Sequence, residues 1–300
     1  MPHINNQELA RPSLYIPLGI VLAALVLVAV FLMKIPNFIR NGTYSLLREG
    51  LKEKAVWTTR DMETITGQHF IVRYTNGNQK DAELVLATAE QFYGPIAAKY
   101  GFSSSRKIPV IVYPSRAELN RNFGWPANES AMGVYWAGVI RVLSPTVWVP
   151  DQDPLSFQET FKKSGPMAHE FTHLVVDYVT AGNYTRWFTE GMAQYEEYKL
   201  TGFEFDEPTA SLDQPLYSLS QMDRDFDNLP NQPLAYRQSY LAVRYIAEEY
   251  GEGALKSILI NLARGKNMEL ALQSVLGMEM QQFEAKYQKW GMEKEKLHQL

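Results

Sequence analysis

Residues 166–200 read PMAHEFTHLVVDYVTAGNYTRWFTEGMAQYEEYKL. Pro166 stands where the first turn of a helix tolerates a missing N–H, and Gly182-Asn183 are residues that close one. The span between them predicts a helix, and Arg186 to Leu200 predicts a second. Within the first, His169 and His173 bracket His169-Glu170-Phe171-Thr172-His173, so their imidazoles stand one above the other on a single helix face. Both can reach one metal ion, with Glu170 beside them near a metal-bound water. Met167, Phe171, Leu174, Val175 and Tyr178 recur on the opposite side. The pattern predicts a helix with a buried apolar back and a metal-binding front that looks into a cleft.

Catalytic zinc usually takes three protein ligands and leaves one position for water. His69 falls on a predicted strand and His298 at the tail, so neither is well placed. On the second helix Glu190 is followed by Gly191 and Ala193, small residues that would let this helix pack closely on the first. Glu190 is the candidate third ligand. Asp177, one turn beyond His173, is the candidate acceptor for that ligand's free ring N–H. A carboxylate near a helix C-terminus opposes the macrodipole, so Asp177 also calls for a compensating partner.

HEFTHLVVDY followed by WFTEGMAQY resembles the gluzincin metallopeptidases, and above all the bacterial peptidase MA-like domain, with its HExxH, short spacer and W-x-x-E-G-x-A-x-Y. The resemblance extends more weakly from about Gln68 to Gly251. It implies a zincin-like (thermolysin/gluzincin-like) catalytic domain holding one zinc ion per chain, with His169, His173 and Glu190 as metal ligands and Glu170 as general base. Relatives carry an aspartate one turn after the glutamate ligand, where this chain has Gln194. The run Ala235-Tyr236-Arg237-Gln238-Ser239-Tyr240 resembles the tyrosine-bearing Y-x-K-G helix of aminopeptidase-like gluzincins. Tyr236 then stands in the tyrosine position, as the donor expected for the transition-state oxyanion, and Ser239 where those enzymes have glycine. Tyr240, one turn later, is the runner-up. The strand AMGVYW (Ala131 to Trp136) is the expected cleft edge, suited to an extended peptide. It lacks the glutamate of the G-x-M-E-N motif with which aminopeptidase relatives hold an amino terminus, which favours an endopeptidase.

Outward from this centre the pattern changes. HFIVRY (69–74), KIPVIVY (107–113), Met132 to Trp136 and Val139 to Leu143 read as strands. Residues 79–100 and Ala235 to Tyr250 read as helices, and helices fill most of the chain after Gly251. Strands first and helices afterwards mean an α+β fold, with an N-terminal mixed sheet and a C-terminal helical part. Thr201 to Pro233 is acidic and punctuated by proline. Asp223, Asp225 and Asp227 alternate like the start of a calcium loop, but Asn228 and Leu234 occupy the positions such a loop reserves for glycine and glutamate.

Leu14 to Met33 runs twenty residues without a charge. As a helix it would span about 30 Å, the thickness of a bilayer core. No small-x-small cleavage site follows it, which favours a single-pass anchor over a signal peptide. The expected organisation is a tail (1–13), a transmembrane helix (14–33), a stalk or linker (34–66), the catalytic domain (67–202) and an acidic loop with a helical region completing the cleft (203–300). Lys34, Arg40, Arg48, Lys52 and Lys54 follow the segment and only Arg11 precedes it, a bias toward a cytoplasmic domain. Long domains are exported despite such a bias, and the expected place is outside the cytoplasm, on a bacterial cell membrane.

The net charge of −4 argues against nucleic acid as a partner. With no cysteine in the chain, disulfides and Cys-ligated zinc are excluded. The expected function is zinc-dependent hydrolysis of peptide bonds in a peptide or protein substrate. The alternatives are a membrane-anchored binding domain that keeps the fold without turnover, and a zinc hydrolase acting on a non-peptide amide or ester.

Overall fold

Strands β1 (Glu63–Thr66), β2 (Phe70–Tyr74), β3 (Ile108–Tyr113), β4 (Gly133–Trp136) and β5 (Val139–Leu143) form one mixed sheet in the order β1-β2-β3-β5-β4. The computed structural model of the chain describes residues 37–126, 131–150, 153–205 and 207–298. β2, β3 and β5 run parallel, while β1 and β4 close the two edges antiparallel. β3 and β5 are buried at every position, as strands covered on both faces must be. That explains why IPVIVY reads as an unbroken apolar run rather than an alternating one.

The helices are α1 (Asn37–Thr58), α2 (Gln79–Tyr100), α3 (Arg116–Arg121), α4 (Pro154–Ser164), α5 (Met167–Thr180), α6 (Arg186–Thr201), α7 (Leu219–Asp225), α8 (Gln232–Tyr250), α9 (Glu252–Ala263), α10 (Met268–Leu276) and α11 (Met280–His298). One sheet face presents Phe70, Val72, Val110, Val112, Ile140 and Val142 to a core shared with α2 and α5. Phe171 of α5 packs edge-on against Phe70, at 5.4 Å between ring centroids. The other face presents Ile111, Tyr113, Val139 and Leu143 to Leu119 of α3 and Ala55 of α1. The α+β class and the mixed sheet are as expected. β1, α3 and α4 have no counterpart among the expected elements; α4 is capped by Asp153, whose carboxylate accepts from the N–H groups of Leu155 and Ser156.

α5 ends on two left-handed residues, Ala181 and Gly182, at φ 51° and 76°, so the chain turns back into α6. The chain divides into two compact units between Gly42 and Thr43. From Thr43 onward the stretch expected as a stalk is part of the same compact unit as the sheet and helices. Arg48 and Lys52 are buried there; read as sequence, a helix so polar suggests solvent. The acidic stretch contains α7 and a short 3-10 turn, Phe226–Asn228. No helix of the described residues is long and apolar enough to cross a membrane; the tail 1–13 and the apolar run 14–33 lie outside them.

Gly191 corrects one expectation. Its missing side chain admits α8 rather than α5: a Cβ there would sit 2.2 Å from the Ser239 carbonyl oxygen and 2.6 Å from Val243 Cγ2. Backbone so close cannot yield locally, so Gly191→Ala must push two helices apart. Overpacking of this kind costs about 1–3 kcal/mol. The midpoint of thermal unfolding should fall by several degrees, at about 2–4 °C per kcal/mol for a domain of this size. An unchanged midpoint would show that α6 and α8 separate freely.

Candidate metal centre

α5 and α6 bring His169, His173 and Glu190 to one point. One ligand atom from each lies within 4.8 Å of the others. Glu190 Oε2 is 3.3 Å from His169 Nε2 and 3.5 Å from His173 Nε2. Donors about 2.0–2.1 Å from a tetrahedral zinc stand roughly 3.3–3.4 Å apart. The buried Oε2 has no hydrogen-bond partner, a costly state for a carboxylate oxygen unless a cation faces it. The residues fit a metal on both counts.

Electrostatics point the same way. Burial opposes ionisation of Glu190, but Arg186 and the two histidines hold its carboxyl well below the usual carboxylate range. Arg186 Nη1 lies 2.7 Å from Glu190 Oε1, which leaves Oε2 as the free donor. Burial likewise disfavours a charged His169, yet Glu190 and Glu197 push its pKa well above the ordinary value. Carboxylates that favour a proton on this imidazole would equally favour a divalent cation in the proton's place.

The rings are held by residues that sequence spacing did not single out. His173 Nδ1 lies 2.7 Å from Thr189 Oγ1, and His169 Nδ1 lies 3.3 Å from Glu197 Oε2. Glu197 is two turns beyond Glu190 on α6, on the face that meets α5. The i+7 spacing was there to be read, as was the i−4 spacing of Arg186. Asp177 does not orient His173, because the ring's second nitrogen turns toward the start of α6. Instead Asp177 accepts from Tyr44 and Tyr135 hydroxyls, each at 2.5 Å, and from Arg48 Nη1 at 3.1 Å. Arg48 also donates to the Asp177 carbonyl at 3.3 Å, which supplies the compensation that the macrodipole calls for.

Glu170 is buried at the floor of the site, and burial pushes its carboxyl up from the ordinary value. Its Oε2 accepts from the Tyr135 N–H at 2.6 Å, so β4 presses directly on the candidate base. Gly133 makes that approach possible: a Cβ there would lie 2.5 Å from Pro166 Cβ and 2.9 Å from Glu170 Cγ. Gln194, where relatives carry an aspartate, donates to the carbonyls of Glu190 and Tyr236. It ties α6 to α8 and leaves the imidazoles alone.

The two candidate tyrosines part company. Glu190 is the leading cause that raises the Tyr236 hydroxyl's pKa, ahead of burial, with Arg186 opposing and Asp227 and Glu170 contributing. Its hydroxyl therefore lies in the field of Glu190 and Glu170. Tyr240 is raised chiefly by burial and then by Glu204. Its hydroxyl accepts from Arg244 at 3.4 Å, on the side of α8 that carries Arg244.

Residues 159–293 match the family model described as the peptidase MA superfamily. The match runs from Glu159 in α4 to Glu293 in α11 and takes in all three candidate ligands and Glu170. No curated protein matches the chain.

Proposed function

We propose that this chain, a member of the peptidase MA superfamily across residues 159–293, is a zinc-dependent metallopeptidase that cleaves peptide bonds within its substrates. The observation that carries the reading is the convergence of a partnerless buried Glu190 oxygen on two imidazole nitrogens, with Glu170 beside them. When bound, zinc supplies Lewis acidity to the scissile carbonyl and to the attacking water. Glu170 takes the proton from that water and hands it to the leaving amine nitrogen. Its burial raises its affinity for the proton in transit, and the Tyr135 N–H fixes the direction in which it faces. β4 is one of the two edge strands of the sheet. It offers an edge along which an extended substrate can lie.

Purified full-length chain should contain about one zinc per molecule. It should cleave members of a peptide library, lose that activity on chelation and regain it with zinc. A chain that binds no zinc overturns the proposal; a chain that binds zinc but cleaves nothing favours the binding-domain alternative.

As the carbonyl carbon is attacked, its oxygen gains charge, and a preorganised donor lowers the barrier. Tyr236 is proposed for this role, because its hydroxyl lies in the field of Glu190 and Glu170. Tyr236→Phe should lower kcat roughly 10²-fold, the usual cost of one lost oxyanion donor, with zinc content unchanged. Tyr240→Phe should do far less. Two unimpaired enzymes would remove tyrosine from the mechanism.

The anchor is likewise a proposal: Leu14 to Met33 crosses a bacterial membrane once, with the folded domain outside the cytoplasm. A membrane-impermeant amine reagent should label lysines after residue 60 in intact cells. Labelling confined to lysed cells reverses the topology.

A further inference from the structure

α1 is inverted relative to an ordinary surface helix. Tyr44, Arg48, Lys52 and Ala55 lie along the face that meets the domain. Arg48, 6% exposed, pairs with Asp177, and its guanidinium carbon lies 3.6 Å from the centre of the Tyr178 ring. Lys52 donates to the Tyr178 hydroxyl at 3.4 Å and pairs with Glu49. The apolar side chains point the other way. Leu46, Leu47, Leu51 and Trp57 are 75%, 62%, 36% and 64% exposed, and at about 100° per residue they share one arc with Arg40, Thr43, Gly50, Lys54 and Thr58. A surface helix normally turns its apolar stripe to the core. Here Arg48 and Lys52 are held inside and the leucines lie outside, where exposed apolar surface calls for a cover.

The chain that precedes α1 identifies the cover. Only Lys34, Ile35 and Pro36 separate the uncharged run Leu14 to Met33 from Asn37. Three residues reach at most about 10–11 Å, so a chain anchored by that run starts α1 at the membrane surface. On the premise of that anchor, we propose that the outward face of α1 lies on the bilayer, with its leucines at the boundary between headgroups and acyl chains. An interfacial helix buries its apolar side about 5–10 Å into this region. Tryptophan favours the same depth, and Lys54, in the middle of the face, can extend its ammonium to the phosphates. A second copy of the chain fits less well, since interface centres are depleted in lysine.

The inward face then sets the attitude of the domain. Arg48 grips Asp177, which lies eight residues along α5 from His169. That is about 12 Å of helix at 1.5 Å per residue, so one helix joins the membrane contact to the metal ligands.

The absence of cysteine allows a direct test. Leu47→Cys, Leu51→Cys and, as an exposed control, Glu249→Cys each accept a single nitroxide in the full-length chain. The labelled proteins are reconstituted into vesicles of phosphatidylcholine and phosphatidylglycerol, and collision rates with oxygen and with a water-soluble nickel chelate are measured by spin resonance. Labels at positions 47 and 51 should gain oxygen collisions and lose nickel collisions relative to position 249. Equal nickel access at all three sites overturns the inference, as does shielding from both reagents with spin–spin coupling between copies. Retention of the chain in vesicles through alkaline carbonate reports on the anchor separately. Retention with nickel-accessible α1 labels sinks the docking and spares the anchor; extraction by carbonate sinks the anchor and the docking with it.

Discussion

Glu170→Gln is expected to keep the fold and the zinc while kcat falls by about 10²–10⁴-fold, the range ascribed to a positioned general base. The substitution changes one oxygen to an amide nitrogen and leaves volume and burial alone. The remaining amide oxygen can still accept from the Tyr135 N–H, which bonds to Glu170 Oε2 at 2.6 Å. An amide cannot take up the water's proton, however, and the described residues at the site offer no comparable substitute. Glu197 is bonded to His169, and Glu190 is turned toward the two imidazoles and Arg186. Zinc content, circular dichroism and turnover of the best library peptide, measured on the same preparation, give the answer. Wild-type turnover in the variant would remove Glu170 from the mechanism.

The second large effect is on the metal. Glu190→Ala deletes the donor between the two imidazoles and should abolish zinc retention against a competing chelator. It also strips Arg186 of its 2.7 Å partner and leaves Asp227 at 3.4 Å, so some loss of stability must be separated from loss of the ligand. Glu190→Gln provides the control, since its amide keeps the shape and can still accept from Arg186 but is a poor ligand. Zinc at a hundred times its dissociation constant stabilises a folded protein by about 2.7 kcal/mol. The wild type should therefore unfold at a higher temperature with zinc than without, and neither Glu190 variant should respond. His169→Ala and His173→Ala should behave as Glu190→Ala does. Full zinc content in either Glu190 variant would withdraw the third ligand and with it the proposed site.

What the sequence determined by itself was local. The apolar repeat of Met167, Phe171, Leu174 and Val175 and the i, i+4 histidines lie within one helix, where 3.6 residues per turn decides which side chains share a face. The helix at Gln79–Tyr100 was legible for the same reason, and the strand at Ile108–Tyr113 as a short unbroken apolar run closed by Pro114. Glu190 could be chosen because no other histidine was well placed and W-x-x-E-G-x-A-x-Y is itself a local pattern on one helix. The tertiary structure decided everything that depends on how separate elements slide and cross. It gave His173 to Thr189 rather than to Asp177, because the crossing of α5 and α6 sets where the second ring nitrogen points. It set Gly191 against Ser239 of α8 and Gly133 against Pro166 and Glu170, close approaches between segments remote in the chain. It also turned Arg48 and Lys52 of α1 inward. Arg48 is held there by Asp177, on which the hydroxyls of Tyr44 and Tyr135 also converge from α1 and β4, and by the face of the Tyr178 ring. Burying an ion requires several partners at once, and no spacing along one segment reveals that they will meet.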